Sequence, residues 1–269
     1  MSGQSSDELC VTGLVKRFGG ITAVQRVSFS IPTRTIVAII GPNGAGKTTL
    51  FNLISGFHHA DEGRIHFDGK EITNLPPEQI AAAGVIRTFQ LVRLFSQMTA
   101  LENVLVGCHL GTQGGVLSAI LGSAWFHNQE RKIRYDAEEL LAMVSLDHVA
   151  HTAARNLTYG QQRLLEIARA LAARPKFLML DEPAAGLNTL ETRALLALIR
   201  KIRERGVTVL LVEHDMSLVM GVADKIHVLD FGELIASGSP EEIQNHPAVI
   251  EAYLGASVEA RKNGKADHV

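Results

Sequence analysis

The run Gly41-Pro42-Asn43-Gly44-Ala45-Gly46-Lys47-Thr48-Thr49 has the residue types and spacing to hold a chain of phosphates. It matches G-x-x-x-x-G-K-[ST]. Glycines 41, 44 and 46 let backbone N–H groups turn toward phosphate oxygens, and Pro42, Asn43 and Ala45 complete the turn. Lys47 can bridge β and γ oxygens, and the Thr48 hydroxyl can ligate Mg²⁺, with Thr49 beside it. A glycine-rich turn without a ligand is the plain alternative. The context argues against it: the apolar run Ile36–Ile40 precedes the loop and helix-like Leu50-Phe51-Asn52-Leu53-Ile54 follows it.

Further residues can act on such a ligand. Asp181 ends the apolar run Phe177-Leu178-Met179-Leu180, where a carboxylate can reach the phosphate edge of a sheet and hold the Mg²⁺ shell. Glu182 follows it and can take a proton from an attacking water, or merely cap the turn before Pro183. His214, after Glu213 at the end of another apolar run, can donate to the γ-phosphate or hold water and base in register. Gln90, after Val85-Ile86-Arg87-Thr88-Phe89, can touch Mg²⁺ or water through its amide. Phe18, before Gly19-Gly20, can stack on a base or belong to the core. His58-His59 lacks ligand partners and is not read as a metal site.

The segment Leu157-Thr158-Tyr159-Gly160-Gln161-Gln162 adds a second anion site. It reads as the start of a helix offering the Thr158 hydroxyl, the bare Gly160 backbone and the Gln161 amide, with unpaired N–H groups and a favourable dipole. Two anion sites in one chain imply two surfaces closing on one nucleotide.

These residues need a scaffold that brings strand ends to one edge. Continuous apolar runs at 36–40, 177–180, 207–212 and 225–229 suit strands buried on both faces of a mostly parallel sheet. Leu195, Leu198, Ile199 and Ile202 follow helical spacing and Gly206 ends that helix. Runs 8–15, 24–31 and 64–67 alternate as an antiparallel layer would, and Pro76-Pro77 reads as a helix start. Between Gln90 and Leu157 the texture is helical. The expected fold is therefore α/β, a phosphate-loop NTPase with a mixed sheet core, an antiparallel β layer and a helical subdomain inserted at about 91–170. One domain spans 8–255, with flexible tails at 1–7 and 258–269.

Composition excludes some functions. With 269 residues, 46% hydrophobic and a net charge of −2, the chain can bury a large core but carries no basic stripe for nucleic acid. The apolar stretch 115–126 is shorter than the roughly 20 residues a membrane span needs, so any membrane link is expected to be indirect. The polar N-terminus does not resemble a secretion signal, and Cys10 and Cys108 are too far apart in sequence for a metal motif, which together suggest the cytoplasm.

In their order along nearly the whole chain, the phosphate loop, Gln90, Leu157–Gln162, Leu178–Pro183, Gly186-Leu187-Asn188 and His214 resemble the Walker A, Q-loop, signature, Walker B, D-loop and H-loop of ATP-binding cassette ATPases. Thr158–Arg163, Pro183–Asn188, Glu213–Met216 and Ala252-Tyr253-Leu254-Gly255 resemble the longer ATP-binding subunit of branched-chain amino-acid uptake systems. The resemblance implies ATP and Mg²⁺ as cofactors, with a head-to-tail dimer in which each signature helix presses on the other subunit's nucleotide. It also implies a second ATPase subunit, two membrane permease subunits touching the helical insert near Gln90, indirectly a solute-binding protein, and a place on the cytoplasmic face of the membrane. A non-transport cassette would share every nucleotide-site residue, and urea or amides are alternative cargoes. A phosphate-loop kinase or GTPase would leave the signature and His214 without a task. Two positions depart from the broad family: Tyr159 replaces a glycine and must point away from phosphate, and Asn188 replaces an aspartate.

Overall fold

The computed structural model describes residues 7–88, 94–110 and 124–253. Gln90 and most of the apolar stretch 115–126 lie outside them. The chain divides into two units, one formed by residues up to Ala83 and from Ile202 onward, the other by Gly84–Lys201.

In the first unit, β1 (Asp7–Phe18), β2 (Ile21–Pro32), β4 (Glu62–Phe67) and β5 (Lys70–Glu71) form an antiparallel sheet in the order β2-β1-β4-β5. Alternation is the cause: Leu9, Val11, Ile65 and Phe67 are buried while intervening residues are less so. A second set of strands is apolar throughout. In β3 (Ile36–Ile40) and β8 (Thr208–Val212) every residue is buried. β3 pairs in parallel with both β8 and β9 (Lys225–Asp230), and β10 (Glu233–Gly238) returns antiparallel to β9. The register Ile39↔Val212 sends the segments after β3 and β8 out from the same edge. After β3 comes α1 (Lys47–Ile54), which buries Leu50, Phe51, Leu53 and Ile54. The short helices α2 (Pro77–Ala83), α7 (Met216–Val222) and α8 (Pro240–Gln244) complete this unit, with Ser239 capping α8 ahead of its first-turn proline.

The second unit holds β6 (Val85–Arg87) parallel to β7 (Phe177–Asp181), in register Arg87↔Met179. Helices α3 (Ala100–Leu110), α4 (Ala124–Met143) and α5 (Tyr159–Ala172) fill the sequence between these strands. They pack on one another, and Gly107 is where α3 meets α5: a Cβ there would strike the carbonyl of Arg169. The helix expected around Leu195 is α6 (Thr189–Glu204), and Leu195, Leu198, Ile199 and Ile202 are all buried. Among the described residues, no helix is long and apolar enough to cross a membrane.

Candidate functional site

The phosphate loop is built by backbone geometry. Gly41, Gly44 and Gly46 have φ of 152°, 82° and 98°, conformations that side chains resist. Space forbids side chains as well: a Cβ on Gly41 would meet the carbonyl of Leu229, and one on Gly46 the carbonyl of Ala23. The loop is also tied to its surroundings, because Gly232 N–H donates to the Ala45 carbonyl at 3.0 Å and Gln25 N–H to the Gly232 carbonyl at 2.7 Å. Lys47 is buried and donates to the carbonyls of Gly41 and Pro42 at 2.7 and 2.8 Å. Its ammonium is thus held over the loop it would serve. Thr48 is exposed, Thr49 half-buried and Asn43 exposed.

Two further residues of the first unit bear on the loop. His214 is exposed, two residues past β8, and its N–H donates to the neighbouring Glu213 carboxylate at 3.1 Å. Tyr253, quoted above only as part of a sequence ending, lies near enough to the loop that burial raises its phenol pKa while the backbone of Gly41 opposes the rise. Only the chain's turn back toward the loop reveals this contact; the local sequence around Tyr253 carries no signal for it.

Phe18 is 44% exposed, which removes the core alternative and leaves a ring available for stacking. His58 meets it edge-on with ring centres 5.3 Å apart, and the Lys16 ammonium is 5.3 Å from the Phe18 ring centre.

In the second unit side chains do the holding. Asp181 is buried at the end of β7, and its Oδ2 accepts from Arg87 Nη2 at 2.8 Å. Glu182 is half-buried with φ of 46°, a strained backbone for a non-glycine residue. Its carbonyl accepts from Ala185 N–H at 3.1 Å and from Arg163 Nη2 at 3.4 Å. Arg163 is itself buried and pairs with buried Glu166 at 3.3 Å.

The start of α5 is capped from within. Thr158 Oγ1 accepts from Gln161 N–H at 3.3 Å, while Gln161 Oε1 accepts from Thr158 N–H at 3.0 Å. Each side chain thus accepts from the other's backbone N–H, so the cap uses neither the Thr158 O–H nor the Gln161 Nε2 donors read from sequence as phosphate ligands. Gly160 is buried beneath the Glu191 carboxylate, whose other oxygen accepts from Asn188 N–H at 2.9 Å. Asn188 Oδ1 in turn accepts from Leu190 and Glu191 N–H at 2.9 and 3.0 Å, so this departure from aspartate keeps a helix cap. Tyr159 turns aside as its bulk demands. Its ring lies over Gly186, where a Cβ would come within 2.9 Å of it.

A groove of about 440 Å³ opens in the same unit. It is lined by Ile86, Arg87 and Thr88 at the end of β6, by Phe95, Val106 and Gly107, and by Glu166, Arg169, Ala170 and Ala173 of α5. The Arg169 guanidinium sits 5.7 Å from the Phe95 ring centre. Sequence reasoning did not find Arg87, Arg163 or Glu191, because the contacts with Asp181, with the Glu182 carbonyl and over Gly160 reach residues far along the chain.

Known proteins resemble this chain along most of its length. The ABC transporter family model matches residues 24–185, and a model described as branched-chain amino acid ATP-binding cassette transporter matches 233–259. The high-affinity branched-chain amino acid transport ATP-binding protein BraF of Pseudomonas aeruginosa is 50% identical over 246 residues, covering 91% of this chain and 96% of that protein. LivG of Escherichia coli (strain K12), named likewise, is 47% identical over 248 residues, covering 92% and 97%. Among solved structures, the ADP conformation of MJ1267, an ATP-binding cassette of an ABC transporter, superposes with a TM-score of 0.81 at 34% identity, covering 93% of this chain and 99% of that one. A dimeric post-hydrolysis state of the cassette MJ0796, bound to ADP and Pi, gives 0.72 at 28% identity, covering 86% and 98%.

Proposed function

Since the chain belongs to the ABC transporter ATPases, we propose that it is the ATP-hydrolysing subunit that energises import of branched-chain or related amino acids through a membrane permease. The observation that carries this reading is near 50% identity across nine-tenths of the chain to BraF, a subunit named for that transport.

Each residue then has a task. Phe18 stacks on adenine, and the loop Gly41–Thr49 wraps the phosphates with Lys47 exchanging its carbonyl partners for β and γ oxygens. The donor set fits Mg²⁺. A hydroxyl from Thr48, one carboxylate from Asp181 and the amide of Gln90 would suit an ion that keeps several waters and binds phosphate oxygens. When bound, Mg²⁺ neutralises charge building on those oxygens. Glu182 takes a proton from water as the water oxygen bonds to the γ-phosphorus, and the bond to the bridging oxygen breaks with the electron pair leaving on ADP. His214 donates to the γ-phosphate and keeps water and base aligned.

Thr158, Gly160 and Gln161 would serve a nucleotide bound by a second ATPase subunit in a head-to-tail dimer. Their mutual capping supports a preformed helix end rather than one assembled on binding. The 440 Å³ groove, beside the segment that leads to Gln90, supports contact there with the permease at the cytoplasmic face of the membrane. A solute-binding protein completes the system.

Two experiments test this reading. Glu182→Gln is expected to retain ATP binding while lowering turnover by about 10²–10⁴. Turnover close to wild type would remove Glu182 from the base role. For cargo, the complex reconstituted with its permease in proteoliposomes is expected to accumulate leucine, isoleucine or valine on ATP addition. Uptake confined to urea or amides would replace that assignment.

A further inference from the structure

Arg87 stands in two places at once. Its guanidinium lies 2.8 Å from Oδ2 of Asp181, and the two side chains are only 8% and 6% exposed. The same side chain lines the groove with Thr88, Phe95, Val106 and Arg169. The parallel register Arg87↔Met179 accounts for the pairing, because it brings the last residue of β6 beside the end of β7.

A buried carboxylate demands a counter-charge, and a guanidinium meets that demand with a fixed fork of donors and a charge that is never lost. Resting on the assignment of Asp181 to the Mg²⁺ shell, we propose that Arg87 is a positioning residue that holds the Asp181 carboxylate as its resident counter-ion and competes with Mg²⁺ for it. Mg²⁺ would draw on the same carboxylate charge that the guanidinium shares through Oδ2, so the ion pair weakens Asp181 as a metal ligand. Metal entry and release of Arg87 are one exchange, which spares Asp181 a stage as an uncompensated buried charge. Because Arg87 also lines the groove, whatever fills the groove touches the residue that sets how readily Asp181 takes the metal.

The test follows binding of a fluorescent ATP analogue to the full chain while Mg²⁺ is titrated. Arg87→Met is expected to lower the Mg²⁺ midpoint by about tenfold, with analogue affinity in EDTA within about twofold of wild type. Arg87→Lys, which keeps the charge and loses the fork, is expected to move the midpoint in the same direction by less. An unmoved or raised midpoint in Arg87→Met, with EDTA affinity intact, overturns the competition. Should that variant fail to fold, an unmoved midpoint in Arg87→Lys does the same. Asp181→Asn separates the two layers of the argument. A raised midpoint there beside an unmoved Arg87 variant overturns the competition alone, whereas a wild-type midpoint in Asp181→Asn overturns the metal assignment beneath it.

Discussion

The phosphate loop and the segment from Asp181 to Gly186, both assigned above to phosphate chemistry as a proposal, are held in different ways. The loop is fixed by backbone: glycines with positive φ, carbonyls in close contact, and a lysine bonded to main-chain oxygens. The segment after β7 is fixed by side chains, through the pairs Arg87–Asp181 and Arg163–Glu166 and through a tyrosine ring. A backbone cradle presents the same donors to any nucleotide and changes only when the chain itself moves. Side-chain pairs can exchange partners, which suits the role proposed for this part with metal, water and a neighbouring subunit.

If this contrast is sound, single-charge changes should injure the second region most. Arg163→Met removes the 3.3 Å ion pair to buried Glu166 and is expected to lower unfolding free energy by about 3–5 kcal/mol in urea denaturation. Arg163→Met with Glu166→Leu should recover most of that loss, and equal loss in single and double variants would show that packing rather than charge holds α5. The next effect comes from the first unit, where β9 shelters an imidazole. Burial, aided by the charge of Lys225, lowers His227 from 6.5 to about 4, so it stays neutral where the unfolded chain is protonated. Its contribution is whole above pH 6.5 and lost as pH falls toward 4, a change on the order of 3 kcal/mol. His227→Leu should flatten stability over that window; an unchanged slope would place the acid sensitivity elsewhere.

A backbone cradle should be sensitive to a methyl group instead. Gly46→Ala, at φ 98° and against the Ala23 carbonyl, is expected to cost about 1–3 kcal/mol, read as weaker ATP binding by calorimetry with uncharged and charged neighbours alike intact. Wild-type affinity would mean the loop yields more easily than its contacts suggest. Smallest is Asn188→Ala, which removes the acceptor for two N–H groups at the start of α6 and should cost about 1 kcal/mol in thermal unfolding.

How much of this was open to reading from sequence depended on how local the physics is. The phosphate loop and the buried strands at 36–40 and 177–181 announce themselves, since periodicity and glycine spacing are encoded by neighbours. So does the helix start at Tyr159, where Thr158 and Gln161 are three residues apart. Phe18 was ambiguous because an aromatic after a strand is equally at home inside or outside, and only its exposure decided. Arg87 was passed over as part of a strand leading to Gln90, though it lies against Asp181 far along the chain. Tyr253 and Glu191 were missed for the same reason: parallel strands and returning helices create contacts whose partners share no sequence window.

The ring of Tyr159 over Gly186 restricts the order in which this lineage can change. Residue 186 has φ of 79°, and a Cβ there would come within 2.9 Å of the tyrosine ring, so a side chain gained there meets backbone strain and must also displace the ring. The reverse path is open, since glycine at 186 tolerates any residue at 159. A library randomised at both should therefore return glycine at 186 beside varied residues at 159, with a side chain at 186 rare and rarest where the ring is kept.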